Sequence, residues 1–274
     1  MGCDGIRSRV RQLILGVNDP ASYPTYTHKY AFRGLVPMSL AQPILGTEMT
    51  QTRHMYLGRN GHALTFPVAG GKMLNVVAFT TDSSPWPYPD NFTAPVAKLD
   101  VVKAFASFNS TVRAIIDLLP DQLNKWAVFD TYDHPAPTFL KGSVCIAGDA
   151  AHAAAPYHGA GAGFAIEDGA VLAQLLDRAG SSIGIDRSRA IHAALETYDA
   201  VRRERAQWLV QSSRFVGEMY EWRDETIGDD PGRCVEEIEW RSRKIWDYDV
   251  EEMMSQADSA FEARVEALRG GETR

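Results

Sequence analysis

One stretch constrains this chain more than any other: Val144 to Leu176, VCIAGDAAHAAAPYHGAGAGFAIEDGAVLAQLL. The apolar run Ser143 to Ala147 has the length and composition of a buried strand, and it ends at Gly148-Asp149. A loop of small residues follows, carrying His152, Pro156 and His158. Then Gly159-Ala160-Gly161-Ala162-Gly163 opens a helix. An aspartate at the carboxyl end of a buried strand can bond a ribose or polyol hydroxyl, where open α/β sheets hold their ligands. Glycines let a flat ring or a phosphate approach the backbone. A helix N-terminus adds free N–H groups and partial positive charge.

As a dinucleotide fingerprint the glycine run fails. G-x-G-x-x-G would need glycine where Phe164 stands, and the glycines should follow the strand directly. Asp149 also fits a plain turn- or helix-capping role. The set Asp149, His152 and His158 matches no standard zinc or iron spacing, so no metal is expected. His152 reads as packed in the loop and bonded to backbone.

Around this stretch the pattern is mixed. Residues 1–16 begin with a turn at Asp4-Gly5 and continue as a short helix with Ile6, Val10 and Leu13 on one side. Tyr30 to Val36, His62 to Phe66 and Met73 to Thr81 read as strands, with a hairpin turn at Gly70-Gly71. The Pro-rich segment Ser83 to Pro95 reads as a loop, and residues 96–119 as one helix. Ala127 to Tyr132 is strand-like. From Gly163 onward the spacing is helical, in runs 164–176, 188–222 and 235–268. The Trp-rich end (Trp208, Trp222, Trp240, Trp246) is read as packing. The fold class expected is α/β with α+β character.

Charge and cysteine usage exclude other classes. A net charge of −7, with Arg202 and Arg203 followed by Glu204, argues against nucleic acid. The three cysteines, Cys3, Cys145 and Cys234, form no CxxC pair and fit a reducing compartment. No apolar run is long enough for a membrane span. Gly2 lacks the Ser or Thr that lipidation needs at position 6, where Ile6 stands. A soluble, cytoplasmic protein is expected. No G-x-S-x-G, P-loop or H-E-x-x-H occurs.

Taken whole, Val144 to Leu176 resembles the second flavin motif of FAD-dependent aromatic-ring monooxygenases of the para-hydroxybenzoate and salicylate hydroxylase type. Gly2-Cys3-Asp4-Gly5-Ile6-Arg7-Ser8-Arg9-Val10-Arg11 resembles the family's Asp-Gly motif. Phe32-Arg33-Gly34-Leu35-Val36-Pro37 is similar to the segment that follows it, and Pro67 to Phe79 to the central sheet. The likeness runs through residues 1–180 in order and spacing.

The resemblance implies a role for each matched position. Gly148 and Asp149 would meet the ribityl chain of FAD. Gly159, Gly161 and Gly163, with Ala162 most central, would lie against the pyrimidine edge of the isoalloxazine. The helix behind them would stabilise negative charge at N1–C2=O of the reduced ring. Pro156 and His158 would sit near the place of oxygen addition, and Asp4 and Arg7 near the pyrophosphate. Arg33 would have an active-site role; as a strand residue alone it reads more often as surface or salt-bridged than as catalytic. Arg7, Arg9 and Arg11 can also form a solvated helix face, with Arg7 alone functional. Arg33, Pro156 and His158 are the catalytic candidates. The reaction implied is hydroxylation of an aromatic or polyketide-like small molecule, with NAD(P)H as co-substrate and the redox chemistry carried by the flavin.

The family's N-terminal strand, its G-x-G-x-x-G turn and its adenosine-binding acid have no counterpart before Asp4. The expectation is an N-terminally truncated form, or a separate chain supplying that half. The alternative is a flavin-free cyclase or isomerase, or an inactive relic, reusing the fold. The division expected is a partial FAD-binding domain at 1–25 and 141–180, a β-sheet substrate domain at 26–140 and a helical C-terminal region at 181–274.

Overall fold

The computed structural model describes residues 1–270. It is a mixed α and β fold that divides into two compact units, each described by itself. One comprises 1–25, 129–216 and 237–270; the other comprises 26–128 and 217–236.

The second unit is built on a six-stranded sheet of β1 (Thr25–Pro37), β2 (His54–Gly58), β3 (Gly61–Val68), β4 (Met73–Thr81), β5 (Thr93–Ala97) and β6 (Gln122–Asp130). Their order is β2-β3-β4-β1-β6-β5. β3 and β4 pair antiparallel across the expected turn, where Gly70 and Gly71 have φ of 64° and 80°. Alternation along β4 sends Leu74, Val76 and Ala78 into an apolar core with Phe32, Val36, Phe105 and Ile115. Arg33 pairs with Val77 and Leu35 with Asn75, which puts these four on the opposite face.

Two local expectations are corrected in this unit, and two helices that were not foreseen are added. Residues 96–119 form two helices, α4 (Lys98–Ala104) and α5 (Ser110–Asp117). The break falls at Asn109, whose side chain accepts from Val112 N and starts α5. Residues 38–51 hold two short helices, α2 (Met38–Leu45) and α3 (Thr47–Gln51), separated by Gly46 at φ 82°. The Pro-rich loop ends at Thr93, where β5 begins.

The first unit holds α1 (Arg9–Leu15), the two-stranded ribbon β7 (Leu140–Lys141) and β8 (Val144–Cys145), α6 (Asp149–His152) and α7 (Gly161–Ser181). It also holds α10 (Val250–Gly270) and most of α8 (Arg187–Tyr220) and α9 (Pro231–Trp246). The expected C-terminal helix over 235–268 is thus interrupted, and α9 and α10 are separate. The core is formed by Phe139, Ile146, Val171, Leu175, Tyr198 and Phe261 among others. Cys145 is a buried member of it, and burial pushes its thiol pKa up.

The expected strand 143–147 is ladder-paired with β7 only at Val144 and Cys145. Beyond them it pairs with the N-terminus in a parallel bridge between Gly2 and Ile146. Gly2 N donates to Cys145 O at 2.7 Å and accepts at its carbonyl from Ala147 N at 3.0 Å. A Cβ on Gly2 would lie 2.4 Å from the Val10 Cβ, so only glycine fits this close approach.

Candidate functional site

The strand ends where its backbone turns away. Gly148 has φ 61° and ψ −144°, a conformation open essentially to glycine alone. Its N–H donates to Asp168 Oδ2 at 2.9 Å. Asp149 then opens α6, exposed, with no partner for its carboxylate among the described residues. The capping role is not realised: no side chain caps α6. The chain continues through Ala153–Ala155 into a 3-10 turn at Pro156–His158, then Gly159 in the left-handed conformation at φ 66°.

α7 starts at Gly161 with Ala160 as its N-cap, and no side chain caps it. The N–H groups of Gly161, Ala162 and Gly163 therefore point outward without an acceptor among the described residues. A Cβ placed on Gly159, Gly161 or Gly163 would meet nothing within 4 Å, and Ala162 is exposed. An unpartnered carboxylate, a bare glycine surface and an uncapped helix end thus lie on one continuous loop.

The Asp4 turn belongs to the same unit and adjoins the strand through the Gly2 bridge. Asp4 accepts from Arg9 N at 2.7 Å, Val10 N at 3.2 Å and Ser8 Oγ at 2.6 Å, capping α1. Burial acts to raise its pKa; the Ser8 bond and the backbone N–H groups outweigh it, and the carboxyl is held low. Arg7 is exposed on that turn. Arg11 is not on a solvated face. It is 1% exposed, with Nη1 donating to Ala150 O at 3.1 Å and Ala151 O at 2.7 Å and Nε to Ala21 O. Burial brings its guanidinium pKa down to about 10. It ties α1 to α6, because both carbonyls belong to that one-turn helix.

Beneath the loop is a buried polar network that sequence reasoning missed. Asp168, fully buried on α7, accepts from Gly148 N, from His152 Nε2 at 2.6 Å and, at Oδ1, from Arg202 Nε at 2.9 Å. Arg202 is also fully buried and donates to Phe164 O at 3.2 Å and Glu167 Oε2 at 2.6 Å. Arg205 adds a two-pronged pair to Glu167 at 2.9 Å each. Burial pushes the Asp168 pKa up, but the His152 bond and the Arg202 charge outweigh it, and it is lowered. His152 is therefore bonded to a carboxylate and not to backbone. A signal was available: Asp168 falls among Phe164, Val171, Leu172 and Leu175 on the apolar stripe of α7. A charge on that stripe demands a buried partner.

His158 is half-buried, its Nε2 2.8 Å from Ser212 Oγ. Burial, then the positive charge of Arg241, lowers its pKa to about 4. Pro156 is exposed on the same turn. Arg33 belongs to the other unit, where it is exposed and lines a groove of about 990 Å³ with Leu35, Pro95, Pro120 and Trp126. The structure thus gathers Asp4, Arg7, Gly148, Asp149, Pro156, His158 and Gly159–Gly163 in one unit and Arg33 in the second. Among the described residues no cluster of three His, Cys, Asp or Glu could hold a metal, and no helix is long and apolar enough to cross a membrane.

The profile of the FAD-binding domain family matches residues 1–213. The chain belongs to that family. Among its relatives is a dual trans-enoyl reductase/FAD-dependent monooxygenase, tazHJ, of Aspergillus terreus, 61% identical over 274 residues, covering 97% of this chain and 39% of the relative. The FAD-dependent monooxygenase orf3 of Aspergillus niger is 57% identical over 271 residues, covering 97% of this chain and 61% of that protein. A solved salicylate hydroxylase substrate complex superposes with a TM-score of 0.84 at 34% identity, over 93% of this chain and 62% of that one. The chain of this FAD-binding family member therefore spans less than two thirds of the length of each of these relatives.

Proposed function

We propose that this chain is the flavin-ring and substrate portion of an FAD- and NAD(P)H-dependent monooxygenase that hydroxylates an aromatic or polyketide-like small molecule. The observation that carries this reading is the continuous loop from Gly148 to Gly163, on which an unpartnered Asp149 carboxylate and three glycines with open Cβ positions accompany an uncapped helix. These residues fit the group. Asp149 accepts hydroxyl protons from a polyol such as the ribityl chain. The bare backbone of Gly159, Gly161 and Gly163 accommodates a planar ring, which any side chain there would push away. The N–H groups of Gly161 to Gly163 and the α7 dipole favour negative charge on the ring edge they face.

When bound, FAD would take hydride from NAD(P)H and activate O2 for transfer to an electron-rich ring. The protein's part is orientation and electrostatics. The Asp168 network fixes Gly148 and His152, so that Asp149 is presented from a rigid base. Pro156 limits the backbone before the glycine turn, and Asp4 holds the turn that carries Arg7. Arg33 lines the groove of the sheet unit together with Asp121, Asn124 and Trp126, and suits an anionic or phenolic substrate. The ADP half of FAD would be held by residues outside these 274, on the same polypeptide or on a separate chain. The free thiols of Cys3, Cys145 and Cys234 suit a cytoplasmic location.

The test is a titration of the purified chain with FAD and FMN, followed by flavin fluorescence. Saturable quenching is expected, with Asp149→Ala weakening it by about tenfold or more, as loss of bonds to a charged acceptor implies. Absence of saturable binding, or an unchanged Asp149→Ala variant, counts against the reading. The flavin-free alternative separates in the same experiment, since it predicts no saturable quenching.

A further inference from the structure

We propose that Ser212 and Arg241 are positioning residues for His158, fixing its imidazole as the neutral Nδ1–H tautomer on the turn that leads into the glycine run. The inference deepens the proposed function, since it bears on a reaction only if that turn receives a flavin. Its geometry stands independently.

Arginine has only donors, so in the 2.8 Å contact between Arg241 Nη1 and Ser212 Oγ the serine accepts. Ser212 is 1% exposed, and the one acceptor described for its own hydroxyl proton is His158 Nε2, also at 2.8 Å. Nε2 must then be unprotonated, and a neutral ring carries its proton at Nδ1. A protonated imidazole would present an N–H to Ser212 and leave the serine proton, in a buried site, without its Nε2 acceptor; a backbone hydrogen bond at Ser212 favours the charged ring, and burial and the Arg241 charge outweigh it.

The far end of this relay is rigid. Glu237 Oε2 accepts from Arg241 Nε at 3.0 Å and is 2.9 Å from Nη2. The guanidinium stacks on Phe215 at 4.1 Å and Trp240 at 4.4 Å from the ring centroids. Charged groups on the elements around His158 come from α8, α9 and the loop before it: α8 offers Arg214, whose charge interacts with Tyr157. α9 offers Arg241 with its partner Glu237; Asp133 lines the same groove as Ser212 and lies 3.6 Å from Arg214. Arg241 lies beyond residue 213, outside the family match, whereas His158 and Ser212 lie inside it. With His158 held neutral, its ring adds no charge to the turn that leads into the α7 N-terminus.

NMR of the chain carrying 15N-labelled histidine reads this directly, with the His158 signals assigned by His158→Gln. The unmodified chain is expected to show an unprotonated Nε2 and a midpoint near about 4. Arg241→Met keeps the apolar stem and removes the charge, and should raise the midpoint toward the ordinary 6.5, with burial still holding it below that value. Added guanidinium should reverse this, because Arg241 lines an open groove of about 630 Å³. Ser212→Ala should turn the single tautomer into a mixture. A protonated Nε2 in the unmodified chain, a midpoint near about 6.5, or an unmoved signal in both variants overturns the proposal. The tautomer of the unmodified chain decides the matter even if a variant fails to fold. No flavin is needed, so this failure is distinct from failure of the flavin titration.

Discussion

Gly148 carries two constraints at once: a φ of 61° with ψ of −144°, and an Ala165 Cβ only 3.3 Å from where its own Cβ would stand. Gly148→Ala is expected to destabilise the chain by about 1–3 kcal/mol, mostly as backbone strain. A urea denaturation series measures it, and an unchanged midpoint would show that the turn relaxes. The histidines give a pH signature. His62 and His158 are both depressed below the ordinary value, each chiefly by burial. The unfolded chain therefore binds more protons than the folded one over the window from about 6.5 down to their folded values. Stability is full above that window and is lost as pH falls through it. Denaturation midpoints should be lower at about pH 5 than at about pH 7.5, and His158→Gln should remove part of the difference. At this scale the sequence was informative where chemistry is written in residue type: an Asp closing an apolar strand, and glycines ahead of a helix. It was silent on Ser212 and Arg241, which meet His158 only because α8 and α9 bring them there.

Elements in this chain are tied together by buried charges as well as by apolar faces. Asp168→Ala removes one of the two carboxylates on Arg202, leaving Glu167, and frees Gly148 and His152 together. The expected loss is about 3–5 kcal/mol, as for breaking a buried ion pair. Asp168→Ala combined with Arg202→Met should recover part of it, because the under-paired charge goes too. A comparable tie in the sheet unit joins Glu221 to Lys29 of β1, to His62 Nδ1 of β3 at 3.2 Å and to Thr81 Oγ1 of β4 at 2.7 Å. Glu221→Ala should cost a similar amount, read as lost amide-exchange protection in β1, β3 and β4. Of the elements, long ones with strong periodicity were readable, β4 and α7 above all. Short ones were not. α2 contains Pro43 and stops at Gly46, so its apolar residues make no sustained period. α4 and α5 share one apolar stripe, Val101, Phe105, Phe108, Val112 and Ile115, which reads as one helix unless Asn109 is recognised as a cap.

The whole molecule has two large apolar cores among its described residues, one around Phe139, Val171 and Tyr198 and one around Phe32, Val76 and Ile115. The first core carries the loop on which the functional reading rests. The fold class was legible because strand-type and helix-type periods alternate along the chain, and the family because its motifs recur in order. The matching profile over residues 1–213 agrees with that likeness, which ran through residues 1–180. The buried network was not legible as a unit, since Asp168 and Arg202 are 34 positions apart in sequence. The central claim is that the loop from Gly148 to Gly163 grips the ring and sugar-alcohol chain of a flavin. A crystal structure of the chain grown with FAD tests it most directly. The isoalloxazine should lie flat over Gly159–Gly163, with a ribityl hydroxyl within about 3 Å of an Asp149 carboxylate oxygen. A flavin bound elsewhere, or an Asp149 turned away from it, would contradict the claim.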